Sequence, residues 1–184
     1  NERGSDTYGA GGASAVCAWG QGSAEHFTAV GAKRVVITGN PRFDRVDPAE
    51  HKAAGQALLR GLGLGGPPLV YLSNPIDDQG FCKPAEKLGL FEAFLDEAAD
   101  ELVRRAIPVV VKLHPREDAS AFRAIAARAP VPAVVAEQAP LFALLAHSRA
   151  AVVLASTVGL EALWFGLPLG VMPLSGPVAA LAHC

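Results

Sequence analysis

The pattern of apolar and polar positions changes period repeatedly along the chain. Residues 68–73 (PLVYLS) form a short continuous apolar run, as expected of a strand buried on both faces. Over residues 88–106, Phe91, Phe94, Leu95, Ala98 and Leu102 recur at three- and four-residue spacing, which predicts an amphipathic helix. Residues 109–113 (VVVKL) predict the next strand, and Asp118 is placed to cap a helix through Arg128 with Phe122 and Ile125 on its buried side. A weak strand is predicted at 133–136, and Pro140 opens a short helix at its first position. Residues 150–155 (AAVVLA) predict a further strand. Ser156 is expected to cap a helix that Gly166 and Pro168 end, before a last strand at 169–172. Upstream, a strand at 15–18, a helix over 23–30 and a strand at 34–38 (RVVIT) form one more unit, and a helix over 49–60 follows them.

Regular alternation of this kind predicts an α/β fold, a Rossmann-like doubly wound parallel sheet with helices on both faces. The chain is expected to divide into a remnant of a preceding domain and interdomain segment (1–32) and the Rossmann-like domain itself (33–184). The run GLGLGG (61–66) follows a helical stretch and precedes a strand, the reverse of a dinucleotide-binding fingerprint, so it reads as a helix stop and linker. After residue 172 only PLSGPVAALAHC remains, enough for one short helical turn. The chain is therefore expected to lack its natural beginning, its end, or both.

Numbered from 68–73, the strands should take the order 3-2-1-4-5, and ligands in such sheets sit beyond the carboxyl ends at the switch point. That brings together SNPIDDQG (73–80), HPRED (114–118) and STVGLEA (156–162). In STVGLEA a helix start with hydroxyls at Ser156 and Thr157 suits a phosphate, Gly159 permits close approach, and Glu161, one turn on, can accept ribose hydroxyls. The plain alternative is an ordinary cap and a solvated glutamate. His114 directly follows a buried strand and can donate to a phosphate oxygen, and Arg116 beside it is either a forked phosphate contact or a solvated loop charge. Ser73 and Asn74 are candidate phosphate or sugar contacts in a turn, whereas Asp77 and Asp78 are adjacent on one loop and make a poor acid–base pair. Arg42, in TGNPRFD (38–44), is a candidate phosphate or interdomain contact. His26, His51, His147 and His183 lack partners at metal spacing, so no metal is expected.

Composition narrows the function further. The 184 residues are 51% apolar and only 18% charged, against about 25% charged in an average domain, which predicts apolar surface covered by a partner or a further domain. A formal net charge of −2 implies no basic face, so nucleic acid is not expected as a partner. Cys17, Cys82 and Cys184 are odd in number and widely spaced, which suits a reducing compartment. The first fifteen residues lack a charged-then-apolar layout, and the expectation is a cytoplasmic protein.

CAWG, VGAKRVVITGNPRFD, KLHPRED and STVGLEALWFGLPLGV, in that order from Cys17 to Met172, resemble the C-terminal half of bacterial surface-polysaccharide glycosyltransferases of the two-Rossmann-domain GT-B architecture. Within that group the chain is similar to capsule-type Kdo transferases, polysialyltransferases and CDP-glycerol glycerophosphotransferases, which share a His-Pro and a Ser/Thr motif. The resemblance implies a site for a nucleotide-activated sugar, with CMP or CDP as the leaving nucleotide. His114 would be its catalytic phosphate contact, Ser156 and Thr157 would hold the phosphates, and Glu161 the ribose. It implies no cofactor or metal, an acceptor domain missing from the N-terminal side, little turnover by this chain alone, and peripheral placement at the inner face of the membrane. UDP-N-acetylglucosamine 2-epimerases have a similar layout, with TGNP, a histidine after the second strand and a serine-glycine helix start. An epimerase-like enzyme and a non-catalytic module of the same fold therefore remain as alternatives.

Overall fold

The computed structural model describes residues 12–154 and 156–172. Ala155 and the helical turn expected in 173–184 lie outside the described residues, as do residues 1–11. The chain separates into two compact units that divide after Asp47. That is later than the expected division after residue 32, because the strand at 35–37 pairs with the strand at 16–18 and so belongs to the first unit.

In the first unit, β1 (Val16–Ala18) and β2 (Val35–Ile37) run parallel in the register Val16↔Val35 to Ala18↔Ile37, joined through α1 (Gln21–Ala29). The turn that follows is an Asx turn. Asn40 Oδ1 accepts the backbone N–H of Arg42 at 3.0 Å, and Gly39 takes φ +72°, a conformation that favours glycine. A 3-10 turn (Phe43–Arg45) completes this segment.

The second unit opens with a 3-10 turn (Pro48–His51) leading into α2 (Lys52–Gly61). Gly63, at φ +71°, and the bond from Leu64 N–H to the Leu59 carbonyl (2.9 Å) end this helix, as the glycine run predicts. Then come β3 (Leu69–Leu72), α3 (Pro84–Glu97), α4 (Ala99–Arg104), β4 (Val109–Lys112), α5 (Ala119–Arg128), β5 (Ala133–Ala136), α6 (Leu141–Ala146), β6 (Ala150–Val153), α7 (Val158–Trp164) and β7 (Leu169–Val171). The helix expected over 88–106 begins earlier, at Pro84, and is divided at Ala98. It closes where Ala106 turns to φ +52° and Ile107 N–H reaches the Leu102 carbonyl, which buries both of these apolar side chains.

The five strands β3 to β7 are parallel and ordered β5-β4-β3-β6-β7, the doubly wound order expected from the sequence. Tyr71, Val109, Val111 and Val152 on one face pack with Phe91, Leu95, Leu102, Phe122 and Ile125 of α3, α4 and α5. Aromatic rings carry much of this layer, with Tyr71 and Phe91 centroids 4.8 Å apart and Phe91 and Phe122 5.3 Å apart. The other face of the sheet presents Val70, Leu72, Val110 and Val153, also buried. Leu163 and Trp164 on α7 and Val171 on β7 remain about half exposed among the described residues. No helix among them is long and apolar enough to cross a membrane.

Candidate functional site

Strand register aligns the carboxyl edge of the sheet. Leu72, the last residue of β3, lies opposite Lys112 of β4 and Val153 of β6. Ser73 N–H extends the ladder by one bond, to the Lys112 carbonyl at 3.0 Å. The loops that begin at Ser73, at His114 and at Ser156 therefore leave three adjacent strands on the same edge, with β3 in the middle.

Beneath the first two loops lies a polar network that the sequence reading did not anticipate. Lys87, on α3, places Nζ 2.5 Å from Asp77 Oδ1 and 3.0 Å from Glu117 Oε1. The side chains of Lys87 and Glu117 are 6% and 2% exposed, so this is an interior ion pair. The Ser73 hydroxyl donates to the same Glu117 Oε1 at 2.7 Å, and the backbone N–H of His114 donates to Glu117 Oε2 at 2.8 Å. One carboxylate thus joins α3, the β3 loop and the β4 loop. A signal for Lys87 did exist. It stands four residues before Phe91 and eight before Leu95, on the stripe that faces the core, where an unpartnered ammonium would be costly.

The electrostatics follow from this geometry. Burial works against the Lys87 ammonium, but hydrogen bonds from it to Asp77 and Glu117 outweigh that and hold its pKa above the ordinary lysine value. Partial burial of Asp77 is likewise outweighed by the Lys87 bond, which holds its carboxyl below the usual range. Tyr71, fully buried, has its phenol pushed up first by burial and then by the Glu117 and Cys82 charges. Lys112 donates to the Leu113 and Glu137 carbonyls at 2.8 and 2.9 Å, and burial lowers its pKa.

His114 is exposed, and its Nδ1 accepts the backbone N–H of Arg116 at 3.2 Å. With Nδ1 used as an acceptor, this geometry selects the tautomer of the neutral imidazole in which Nε2 is the donor. The Arg116 guanidinium is exposed, 3.8 Å from Asp78 across the two loops. Ser73 is buried with its proton directed to Glu117, so any role in ligand contact falls to its lone pairs. Asn74 is half-buried beside it. Arg42 belongs to the first unit.

The third loop differs in detail from expectation. Thr157, not Ser156, is the residue flanking α7, and the Ser156 hydroxyl oxygen accepts the Val158 N–H at a long 3.4 Å. The N–H groups of Gly159 and Leu160 turn back to the Ser156 and Thr157 carbonyls. Thr157 is exposed, and Glu161 is buried at 8% exposure, which rules out the solvated glutamate. Gly159 corrects an expectation. A Cβ there would meet Leu169 Cδ2 at 3.1 Å and Val153 Cγ2 at 3.5 Å, so the missing side chain serves the contact of α7 with the sheet rather than the approach of a ligand. Among the described residues, no group of three or more His, Cys, Asp and Glu side chains is placed to hold a metal ion.

No curated protein matches the chain significantly. Residues 81–174, just over half of the chain, match the family described as capsule polysaccharide biosynthesis protein. The stretch takes in α3 through β7, and with them Lys87, His114, Glu117, Ser156 and Glu161. With that match over the greater part of the parallel sheet, the chain belongs to the capsule polysaccharide biosynthesis family.

Proposed function

We propose that the second unit is the donor-binding domain of a glycosyltransferase for surface polysaccharide, one half of a GT-B fold, and that it takes a sugar activated by CMP or CDP. The observation that carries this reading is the presentation of His114. A buried carboxylate grips its backbone N–H and the next turn occupies Nδ1, so Nε2–H is held as a fixed donor on the carboxyl edge of a parallel sheet, one strand from its switch point.

Glycosyl transfer breaks the bond between the anomeric carbon and a phosphate oxygen, which leaves with the electron pair. The acceptor hydroxyl forms the new bond and gives up its proton to a base. A preorganised donor aimed at the leaving phosphate stabilises the charge that develops there. His114 fills that role, Ser156 and Thr157 contact the same phosphate through their hydroxyls, Arg116 reaches its rim, and Glu161 takes the ribose. No metal is needed for this arrangement. The acceptor and the base come from a further domain, and the cysteine usage together with the family resemblance supports a cytoplasmic setting at the inner face of the membrane.

The epimerase-like alternative requires carboxylates near the sugar that can exchange protons. Asp77 and Glu117 are both held by Lys87, and Glu117 accepts two further donors, which speaks against it. Thermal unfolding with CMP, CDP, UDP and no nucleotide tests the assignment. A cytidine nucleotide at a hundred times its Kd should stabilise the chain by about 2.7 kcal/mol, and His114→Ala or Ser156→Ala should abolish the shift. A uridine preference would favour the epimerase reading, and no response to any nucleotide would favour the non-catalytic module.

A further inference from the structure

Lys87 Nζ bonds Asp77 and Glu117 rather than His114, yet its place in the network bears on the imidazole. Glu117 accepts at both oxygens. Oε1 takes Lys87 Nζ and the Ser73 hydroxyl, and Oε2 takes the His114 N–H. The loop is further closed by Glu117 N–H bonding the His114 carbonyl at 3.0 Å, and by Arg116 N–H bonding His114 Nδ1. A carboxylate buried at 2% exposure keeps this orientation only while a counter-charge sits on its other oxygen. Without the ammonium, Glu117 must swing toward water, which releases Oε2 from His114, or take up a proton, which leaves Oε2 a weaker, neutral acceptor for the His114 N–H.

We infer that Lys87 is a positioning residue for His114, fixing through Glu117 the turn that holds the imidazole in its Nε2–H tautomer. The second bond from Lys87, to Asp77, ties the β3 loop to the same centre, so the loops after two adjacent strands, β3 at the switch point and β4 beside it, are set by one ammonium. The ring direction matters to function only if the donor reading holds, whereas the direction itself is measurable without any nucleotide.

The experiment is long-range ¹H–¹⁵N spectroscopy of the His114 ring in the full 184-residue chain, assigned with His114→Ala and recorded on the neutral imidazole without nucleotide. In the native protein the two ring nitrogens should be widely separated in shift, with the proton on Nε2. In Lys87→Met the two shifts should converge as the tautomers mix, and Lys87→Arg should restore most of the separation. Glu117→Ala provides a second route should Lys87→Met fail to fold, because it removes both carboxylate oxygens and so frees the His114 N–H, and it too should make the two shifts converge. In folded variants the affinity for CDP should fall about tenfold, the loss of roughly one well-made hydrogen bond. Unchanged ring shifts in folded Lys87→Met or Glu117→Ala would overturn the inference. A native ring with the expected shifts in a chain that binds no nucleotide would instead overturn the donor reading alone.

Discussion

Lys87 Nζ lies 3.0 Å from Glu117 Oε1, across thirty residues of sequence that include α4 and β4. Because both side chains are interior, the pair differs from the exposed pairs of the same unit, such as Arg128 with Glu92, which contribute little. Removing one partner of a buried pair leaves a charge that nothing compensates. Lys87→Met should therefore lower stability by about 3 kcal/mol in urea titration, whereas Arg128→Ala should change it by less than about 1 kcal/mol. Equal losses would mean that the Lys87 pair is effectively solvated.

The same network sets a pH dependence. The Asp77 carboxyl titrates below its ordinary value of 3.8 in the folded chain, so its stabilising effect is complete above that pH and is lost as the pH falls through the folded value. Lys87 titrates above its ordinary 10.5, so its share is complete below that pH and fades only as the pH rises through the folded value. Stability from this pair should be level between about pH 4 and pH 10 and should drop on the acid side. Asp77→Asn should lower the plateau and flatten the acid limb in denaturation series from pH 6 to about pH 2.

Two glycines separate packing from ligand approach. Gly159→Ala gains helix propensity but presses a methyl on the end of the Leu169 side chain, which can yield; the net loss should be about 1 kcal/mol. The nucleotide-induced thermal shift should survive, because that methyl faces the sheet. At Gly55 the added methyl would instead meet the Ala143 carbonyl oxygen where α2 crosses α6. Backbone cannot yield as a side chain does, so Gly55→Ala should lose about 2–3 kcal/mol in the same denaturation assay.

Tyr71 offers a change of opposite sign. Its hydroxyl is buried and has no hydrogen-bond partner among the described residues, while its ring packs on Phe91 and Phe94. Tyr71→Phe keeps the ring and removes the unsatisfied group, and should raise stability by about 1 kcal/mol. A loss of that size would reveal a partner for the hydroxyl.

The local code was legible in the sequence. Short apolar runs separated by helical periods mark each strand of the second unit and its helices, with α3 and α4 read as one, since burial on one or two faces imposes a period on any element that satisfies it. The handedness of crossovers then restricts the order of strands, so the switch point could be located before any coordinates. The candidate positions at Ser73, His114 and Ser156 follow from that placement alone, as the residues just past three neighbouring strand ends.

What needed the tertiary structure was the pairing of charges and the direction of side chains. Lys87 interrupts the stripe of Phe91 and Leu95, a visible anomaly, but nothing local identifies Glu117 as its partner or shows that Glu117 also grips His114. Gly159 reads as room for a ligand until Leu169 and Val153 are seen to fill that space. The sequence by itself determined the elements, because periodic burial is a property of consecutive residues. The tertiary structure decided which polar groups meet, because that depends on the register of strands distant in the chain and on how closely each helix settles on the sheet.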